Sequence, residues 1–303
     1  MMRRVALAGG SGFVGEGLRR HWARQGIEVV RLVRRPAAAP DEVEWDPERG
    51  RLEVARLARC DSLVNLAGEN IAAGRWTDAR RERIRGSRVA TTALLAAAIA
   101  AGPWRPGVWI NASAVGFYGD GGDRELDEQS PQGTGFLASV CGEWEAATQP
   151  AGAAGVRVAC LRLGVVLDPA GGALARLTRV FRAGLGGPLG DGRAWMSWLT
   201  LDELCRAVDF VGADERIAGP VDATRPDPVR NADFTTALAA ALRRPALVRT
   251  PAWLVRAVFG QMGREVLLAG QRAMPGVLAG HGFEFAAGTV ATALGEQLRL
   301  RRD

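Results

Sequence analysis

The stretch from Arg4 to Gly15 constrains the fold more than any other part of the chain. Val5, Ala6, Leu7 and Ala8 form a short apolar run, glycines follow at 9, 12 and 15, and an amphipathic segment carrying Leu18 and Trp22 comes next. An apolar run of that length fits a strand buried on both faces of a parallel sheet. Glycines between such a strand and a helix leave the backbone bare of Cβ atoms. A diphosphate can then lie against it, facing the free N–H groups and the positive dipole end of the helix. The context of strand, turn and helix makes Gly9, Gly10, Ser11, Gly12, Phe13, Val14 and Gly15 candidate cofactor-binding residues. Their Gly-x-x-Gly-x-x-Gly spacing differs by one residue from the Gly-x-Gly-x-x-Gly dinucleotide fingerprint.

The pattern then alternates. A helix to about Gln25 is closed by Gly26, and Glu28 to Val33 reads as the second strand. It ends in Arg34-Arg35-Pro36, about 20 residues past the glycines, where a dinucleotide fold reads the ribose. An acidic residue there would hold the 2′-hydroxyl of NAD, whereas two arginines suit the 2′-phosphate of NADP. Further strands are expected at Glu42–Pro47, Asp61–Gly68, Val108–Ser113, Val156–Leu163 and Gly219–Ala223. Helices are expected from Asp78 to Ala101 and from Phe136 to Ala154. A polar, glycine-rich loop from Ala114 to Gly135 follows the C-terminal end of a strand, the edge at which open α/β sheets bind ligands. The expected fold is therefore α/β, a Rossmann-type doubly wound parallel sheet over residues 1–223. A smaller, mainly helical lobe over 224–303 would cover the substrate, with 164–200 contributing to it in part.

Composition narrows the function. The chain has 303 residues, a net charge of +6 and no lysine, so all 39 basic residues are arginine. Segments such as Asp78-Ala79-Arg80-Arg81-Glu82-Arg83 interleave the two signs, as a solvated helix face does, and no nucleic-acid partner is expected. No apolar run looks long enough to span a bilayer and Met1-Met2-Arg3-Arg4 leads straight into a strand, so a cytoplasmic protein without a membrane partner is expected. Cys60, Cys141, Cys160 and Cys205 are scattered and suggest neither disulfides nor a metal site. His21 and His281 have no ligand-like neighbours.

Several segments together resemble the extended short-chain dehydrogenase/reductases. They are Gly9-x-x-Gly12-x-x-Gly15, Asn65-Leu66-Ala67-Gly68 and Ser113…Tyr118-Gly119-Asp120. Within that superfamily the chain is similar to an atypical epimerase family with a C-terminal domain of uncharacterised role. That likeness rests on Asn65 to Ile71, Arg75-Trp76-Thr77, Gly184 to Gly190, Gly270 to Pro275 and Gly282-Phe283-Glu284-Phe285, among other segments. The resemblance implies an NADP-binding domain with Leu66, Ala67, Gly68, Glu69 and Ser113 beside the cofactor and Arg88 on one of its phosphates. It implies a small-molecule substrate without naming it.

The superfamily's chemistry uses Tyr-x-x-x-Lys on the helix after the fifth strand, with the tyrosine moving a proton to or from the substrate oxygen. Here the matching residues are Phe136 and Val140, and neither can exchange a proton. The remaining catalytic candidates are Ser113, aligned with the superfamily's serine, and Tyr118, the only tyrosine. Asp127 and Glu128 lie near the expected cleft, and Thr200 stands where the family usually has His. Arg225, Arg230 and Gln271 are candidates for an anionic substrate. Two functions follow: an NADP-dependent oxidoreductase or epimerase using a non-standard proton donor, or an NADP(H)-binding sensor or scaffold without turnover.

Overall fold

A computed structural model describes residues 2–299. The main sheet contains β1 (Arg4–Ala8), β2 (Glu28–Val33), β3 (Glu42–Asp46), β4 (Arg51–Leu52), β5 (Ser62–Asn65), β6 (Val108–Ala114), β7 (Arg157–Leu163) and β8 (Gly219–Ala223). Their order across the sheet is β8-β7-β6-β5-β1-β2-β3-β4. All pairs are parallel except β3–β4. The chain starts at β1, winds outward through β2 and β3, then returns to β5 on the other side. That reversal opens a crevice between the C-terminal ends of β1 and β5, the topological switch point of a doubly wound sheet.

Burial explains why β1 anchors the sheet. Val5, Ala6, Leu7 and Ala8 are all inaccessible to solvent, with helices packed on both faces. On one face lies α1 (Phe13–Gln25), which buries Leu18 and Trp22 completely, worth roughly 2–3 kcal/mol each. Gly26 ends it at φ +71°, as the sequence predicts. The neighbouring helix, over Leu201–Ala213, receives Trp22 through its indole N–H, which donates to Asp209 Oδ1 at 2.7 Å. His21 Nε2 is 2.7 Å from Asp209 Oδ2, which gives that histidine a structural partner.

The opposite face carries α2 (Asp78–Ala101) and α3 (Phe136–Ala146). By length and composition α2 is apolar enough to cross a membrane, contrary to the expectation from the sequence. Its Leu95, Ala96 and Ile99 instead enter the core with Trp109 of β6. The helix expected over Phe136–Ala154 is broken after Ala146, and Gln149–Ala153 forms a separate short helix with Pro150 in its first turn. The expected loop after β6 contains a 3-10 turn, Val115–Tyr118.

Beyond β7 the chain adds α4 (Gly172–Arg182), α5 (Leu201–Ala213), α6 (Asn231–Leu242), α7 (Ala252–Met262) and α8 (Val290–Arg299). Thr200 and Glu203 form a capping box that starts α5, so the threonine in the family's histidine position caps a helix. A second core forms from Leu167, Leu174, Phe181 and Trp198 together with Phe234, Leu238, Leu294 and Leu298. Segments on both sides of β8 thus share one apolar cluster.

A buried polar ladder ties β6, β7 and β8 together under the loop. Arg162 of β7 donates from Nε and Nη2 to Glu145 at 2.9 Å each, and from Nη1 to the Tyr118 hydroxyl at 3.0 Å. That hydroxyl lies 2.8 Å from the Asp127 carbonyl oxygen and within 2.9 Å of both Asp222 carboxyl oxygens. One phenolic proton cannot serve two acceptors, so a protonated Asp222 completes the arrangement. Burial, with the nearby Glu128 charge, raises the Asp222 pKa to about 8. Because the folded value lies above the unfolded one, its contribution to stability is full below about pH 4 and declines as pH rises towards 8. Asp222→Asn, neutral at all these pH values, should lose this slope. Urea denaturation from pH 5 to pH 9 should show the variant gaining stability on the wild type with rising pH, and parallel curves would contradict the assignment.

Candidate functional site

The glycine turn lies at the mouth of the switch point. Gly9 has φ +80°, and a Cβ there would stand 2.7 Å from the Leu66 carbonyl carbon. Leu66 N–H donates to the Ala8 carbonyl at 2.9 Å, so the exit of β5 is laced to β1 at the point where only glycine fits. A Cβ on Gly15 would be 2.3 Å from the Gly9 oxygen, which presses α1 against the turn. Gly12 differs. It is the N-cap of α1 with an ordinary extended backbone, and a Cβ on it would meet one atom within 4 Å, the Gly9 oxygen at 3.3 Å. The turn therefore has a tight interior at Gly9 and Gly15 and an open cradle at Gly12, above a helix start with no side-chain cap. That cradle fits a diphosphate. Phe13 faces away from it, packing its ring beneath the Gly171–Gly172 turn at the start of α4.

At the ribose end the two arginines differ. Arg35 is committed to Glu42 through Nη1 at 2.8 Å and Nη2 at 2.6 Å, and Arg31 Nη2 approaches the same carboxylate at 2.9 Å. The Arg35 fork, with the Ala38 N–H, holds the Glu42 pKa down to about 2. Asp41 takes Arg31 as well. Arg34 is exposed and has no ion pair among the described residues. Three arginines against two carboxylates leave one uncompensated positive charge, and it is on Arg34.

Across the crevice, Arg88 of α2 lies flat on Gly68, where a Cβ would sit 3.1 Å from the guanidinium carbon. It donates to the carbonyls of Ile84 and Glu69 and stacks 5.1 Å from Trp144. Burial lowers its pKa, and no carboxylate pairs with it among the described residues. A cation left without an anion beside the glycine turn suits a phosphate. The Glu69 side chain faces Arg80 and Arg83, both at 3.3 Å. Asn65, Thr92, Asn111 and Trp144 are joined by buried hydrogen bonds of 2.8–2.9 Å that fix the ends of β5 and β6.

The catalytic candidates fare differently. Ser113 is 2% exposed and its hydroxyl donates to Glu145 Oε1 at 2.6 Å. Tyr118 is also 2% exposed, and its pKa is pushed upward by burial and by the Asp222 charge. Both hydroxyls are bonded within the ladder, Ser113 to Glu145 and Tyr118 to the Asp127 carbonyl, Asp222 and Arg162. Val140 is buried, and Phe136 meets Trp76 edge-to-face at 5.1 Å. Arg225 is buried against Glu203 and Asp227, so it is not free for an anionic substrate. Arg230 pairs with Asp123 at 2.7 Å, and the Gln271 amide donates to the Gly119 carbonyl. Glu128 accepts the N–H groups of Asp222 and Val277, while Asp127 takes up its own loop's Ser130.

Sequence reasoning missed Glu145, Arg162 and Asp222, which carry the ladder, and Glu265. The Glu265 carboxylate accepts the Leu137 N–H at 2.9 Å, capping α3 from 128 residues away beside Phe136. A signal for Asp222 was available: an acid in an otherwise apolar strand needs a buried partner.

Fold and crevice together define a dinucleotide-binding protein of the doubly wound α/β class. Residues 5–220 match the model of the NAD dependent epimerase/dehydratase family, and residues 250–297 match a domain family described only as of unknown function. The chain is 46% identical over 292 residues to an epimerase family protein of Mycobacterium bovis, covering 96% of each. The human epimerase family protein SDR39U1, crystallised with NADPH, superposes with a TM-score of 0.88 at 33% identity, over 98% of this chain and 99% of that one. A Corynebacterium glutamicum structure described as a nucleoside-diphosphate sugar epimerase gives a TM-score of 0.81 at 37% identity, over 98% of this chain and 58% of that one. The chain belongs to the NAD-dependent epimerase/dehydratase family.

The glycines should separate by substitution. Gly12→Val should change stability by less than about 1 kcal/mol and abolish the thermal shift produced by saturating NADPH. Gly15→Ala, which forces a Cβ onto the Gly9 oxygen, should cost about 3 kcal/mol by itself. A preserved NADPH shift in Gly12→Val would remove the diphosphate from this turn.

Proposed function

We propose that this chain is an NADP(H)-binding protein of the short-chain dehydrogenase/reductase type that holds the dinucleotide without the superfamily's proton-transferring pair. One observation carries the reading: the Ser113 and Tyr118 hydroxyls are buried and bonded within the framework, while the turn at Gly12 and the Arg34 side chain stand open. The cradle at Gly12, the unpaired Arg88 and the free Arg34 supply three separate supports for a phosphorylated dinucleotide. The bound cofactor would supply hydride transfer. This chain supplies binding and a floor of close-packed backbone, with Phe136 and Val140 where the proton donor and its lysine would be. A nucleotide-responsive scaffold fits this set of residues better than an efficient oxidoreductase. NADPH-bound human SDR39U1 and the nucleotide-binding family support the cofactor part of this reading.

A slow oxidoreductase is the second reading, favoured by the coverage of Phe136. Trp76, Met262, Val266 and Leu267 enclose it in an apolar cluster, as a substrate lobe would. In that case the proton must come from water, and general acid catalysis worth typically 10²–10⁴-fold is forgone.

Two measurements test the reading. Because Arg34 holds the only uncompensated charge at the ribose end, Arg34→Ala should weaken NADPH binding at least about 10-fold and leave NADH unchanged. Arg35→Ala should have the smaller effect, since its fork is taken by Glu42. Fluorescence titration of both cofactors decides, and equal wild-type affinity for NADPH and NADH would remove the NADP assignment. Turnover of NADPH with a panel of aldehydes and ketones should be at least about 100-fold slower than in Tyr-containing relatives. Rapid turnover that Ser113→Ala or Tyr118→Phe reduces would overturn the scaffold reading.

A further inference from the structure

The positive charge of this chain is concentrated in two segments that run side by side. Between residues 169 and 190, and between 243 and 264, there are eight arginines and no Asp or Glu. The whole chain has a net charge of +6, so the remainder is negative by two. Backbone hydrogen bonds hold the segments together: Val248 N–H to Gly186 O at 3.1 Å, Thr250 N–H to Pro188 O at 3.0 Å and Gly190 N–H to Thr250 O at 2.8 Å. None of the eight arginines is in an ion pair among the described residues, whereas arginines elsewhere pair widely. The even interleaving of charge expected from the sequence does not hold in this lobe.

The same surface displays large apolar side chains. Leu247 is 85% exposed, Trp253 68% and Leu185 61%, and Val248, Leu254 and Val258 are also exposed. Helix α7 packs inward through Val255 and Met262. At 100° per residue, Trp253, Ala257, Leu254 and Val258 then cover an outward arc of about 140°, with Arg256 at its border. The inner side of this region is occupied: Gln261 accepts from Arg81 of α2, and Glu265 caps α3. The outer face has no partner among the described residues.

We propose that this face binds the surface of an anionic phospholipid bilayer, with Trp253, Leu254 and Leu247 entering the headgroup–acyl boundary and the arginines meeting lipid phosphates. Protruding Trp and Leu beside long cationic side chains are the composition of an interfacial helix, in which the guanidinium reaches the headgroups while its stem lies in apolar surroundings. Charge complementarity selects the anionic surface. A second copy of this chain fits poorly, because a two-fold contact would set the same unpaired arginines against each other. Nucleic acid would use the arginines and leave Leu247, Leu254 and Val258 in water. The binding is peripheral and independent of the nucleotide crevice.

Co-sedimentation with vesicles of about 30% phosphatidylglycerol in phosphatidylcholine tests it. The wild type should pellet with them, bind vesicles of phosphatidylcholine alone at least about 10-fold more weakly, and be released in about 0.5 M salt. Trp253→Ser/Leu254→Ser should abolish pelleting, and Arg244→Glu/Arg256→Glu should weaken it at least about 25-fold at roughly fivefold per arginine. Both variants should keep the wild-type thermal shift with NADPH, which shows that they fold and separates this proposal from the nucleotide assignment. Absence of pelleting at low salt overturns it, as does equal binding to both vesicle types. A dimer in analytical ultracentrifugation that Trp253→Ser/Leu254→Ser dissolves would assign the face to a second copy. Duplex DNA that retains the protein while vesicles do not would assign it to nucleic acid.

Discussion

Everything near the crevice depends on how closely the backbone of β1 approaches the backbone leaving β5. The space between Gly9 and the Leu66 carbonyl cannot take a single methyl group. That approach sets the height of the turn, and the turn sets the start of α1. Gly15 closes the same contact from the helix side, so α1 cannot rise away from the sheet. The opening at Gly12 is the remainder: one position in the turn where the packing stops and the helix start faces outward. The opening is thus produced by tight packing around it, and the glycines that create the packing differ from the glycine that leaves the room.

A second feature is where the polar side chains are used. Ser113, Tyr118, Glu145, Arg162 and Asp222 would make a capable proton-transfer set if they faced solvent. Here they satisfy one another beneath the ends of β6, β7 and β8. Arg162 joins Glu145 to the Tyr118 hydroxyl, its guanidinium 3.5 Å from the Phe117 ring centroid, and Asp222 takes the neutral form that burial favours. Such a network specifies how the loop after β6 sits on the sheet. It also occupies the hydroxyls of Ser113 and Tyr118 with partners of the framework. The C-terminal lobe makes a related use of Glu265, whose carboxylate caps α3 at the helix start that carries Phe136.

The lobe has two faces of opposite character. Its inner side is apolar and specific, with Trp76 and Phe136 edge-to-face and Met262 buried beside them. Its outer side combines unpaired arginines with exposed Trp and Leu. Composition averaged over the chain conceals this, because acidic residues elsewhere offset the charge of the lobe.

The sequence by itself determined the order of strands and helices, the parallel sheet and the glycine turn. These follow from local periodicity: an apolar run buried on both faces, an amphipathic segment, and glycine where the backbone must come close. It also determined the absence of the Tyr and Lys, since a missing residue type needs no coordinates. It did not show the break after Ala146, where one continuous helix to Ala154 was expected. The tertiary structure alone decided that Ser113 and Tyr118 point into the ladder, that Glu42 occupies Arg35 and leaves Arg34 free, and that Glu265 reaches α3 from 128 residues away. The physical reason is that the state of a polar side chain is set by its partners, and those partners lie on strands and lobes that meet only when the chain is folded.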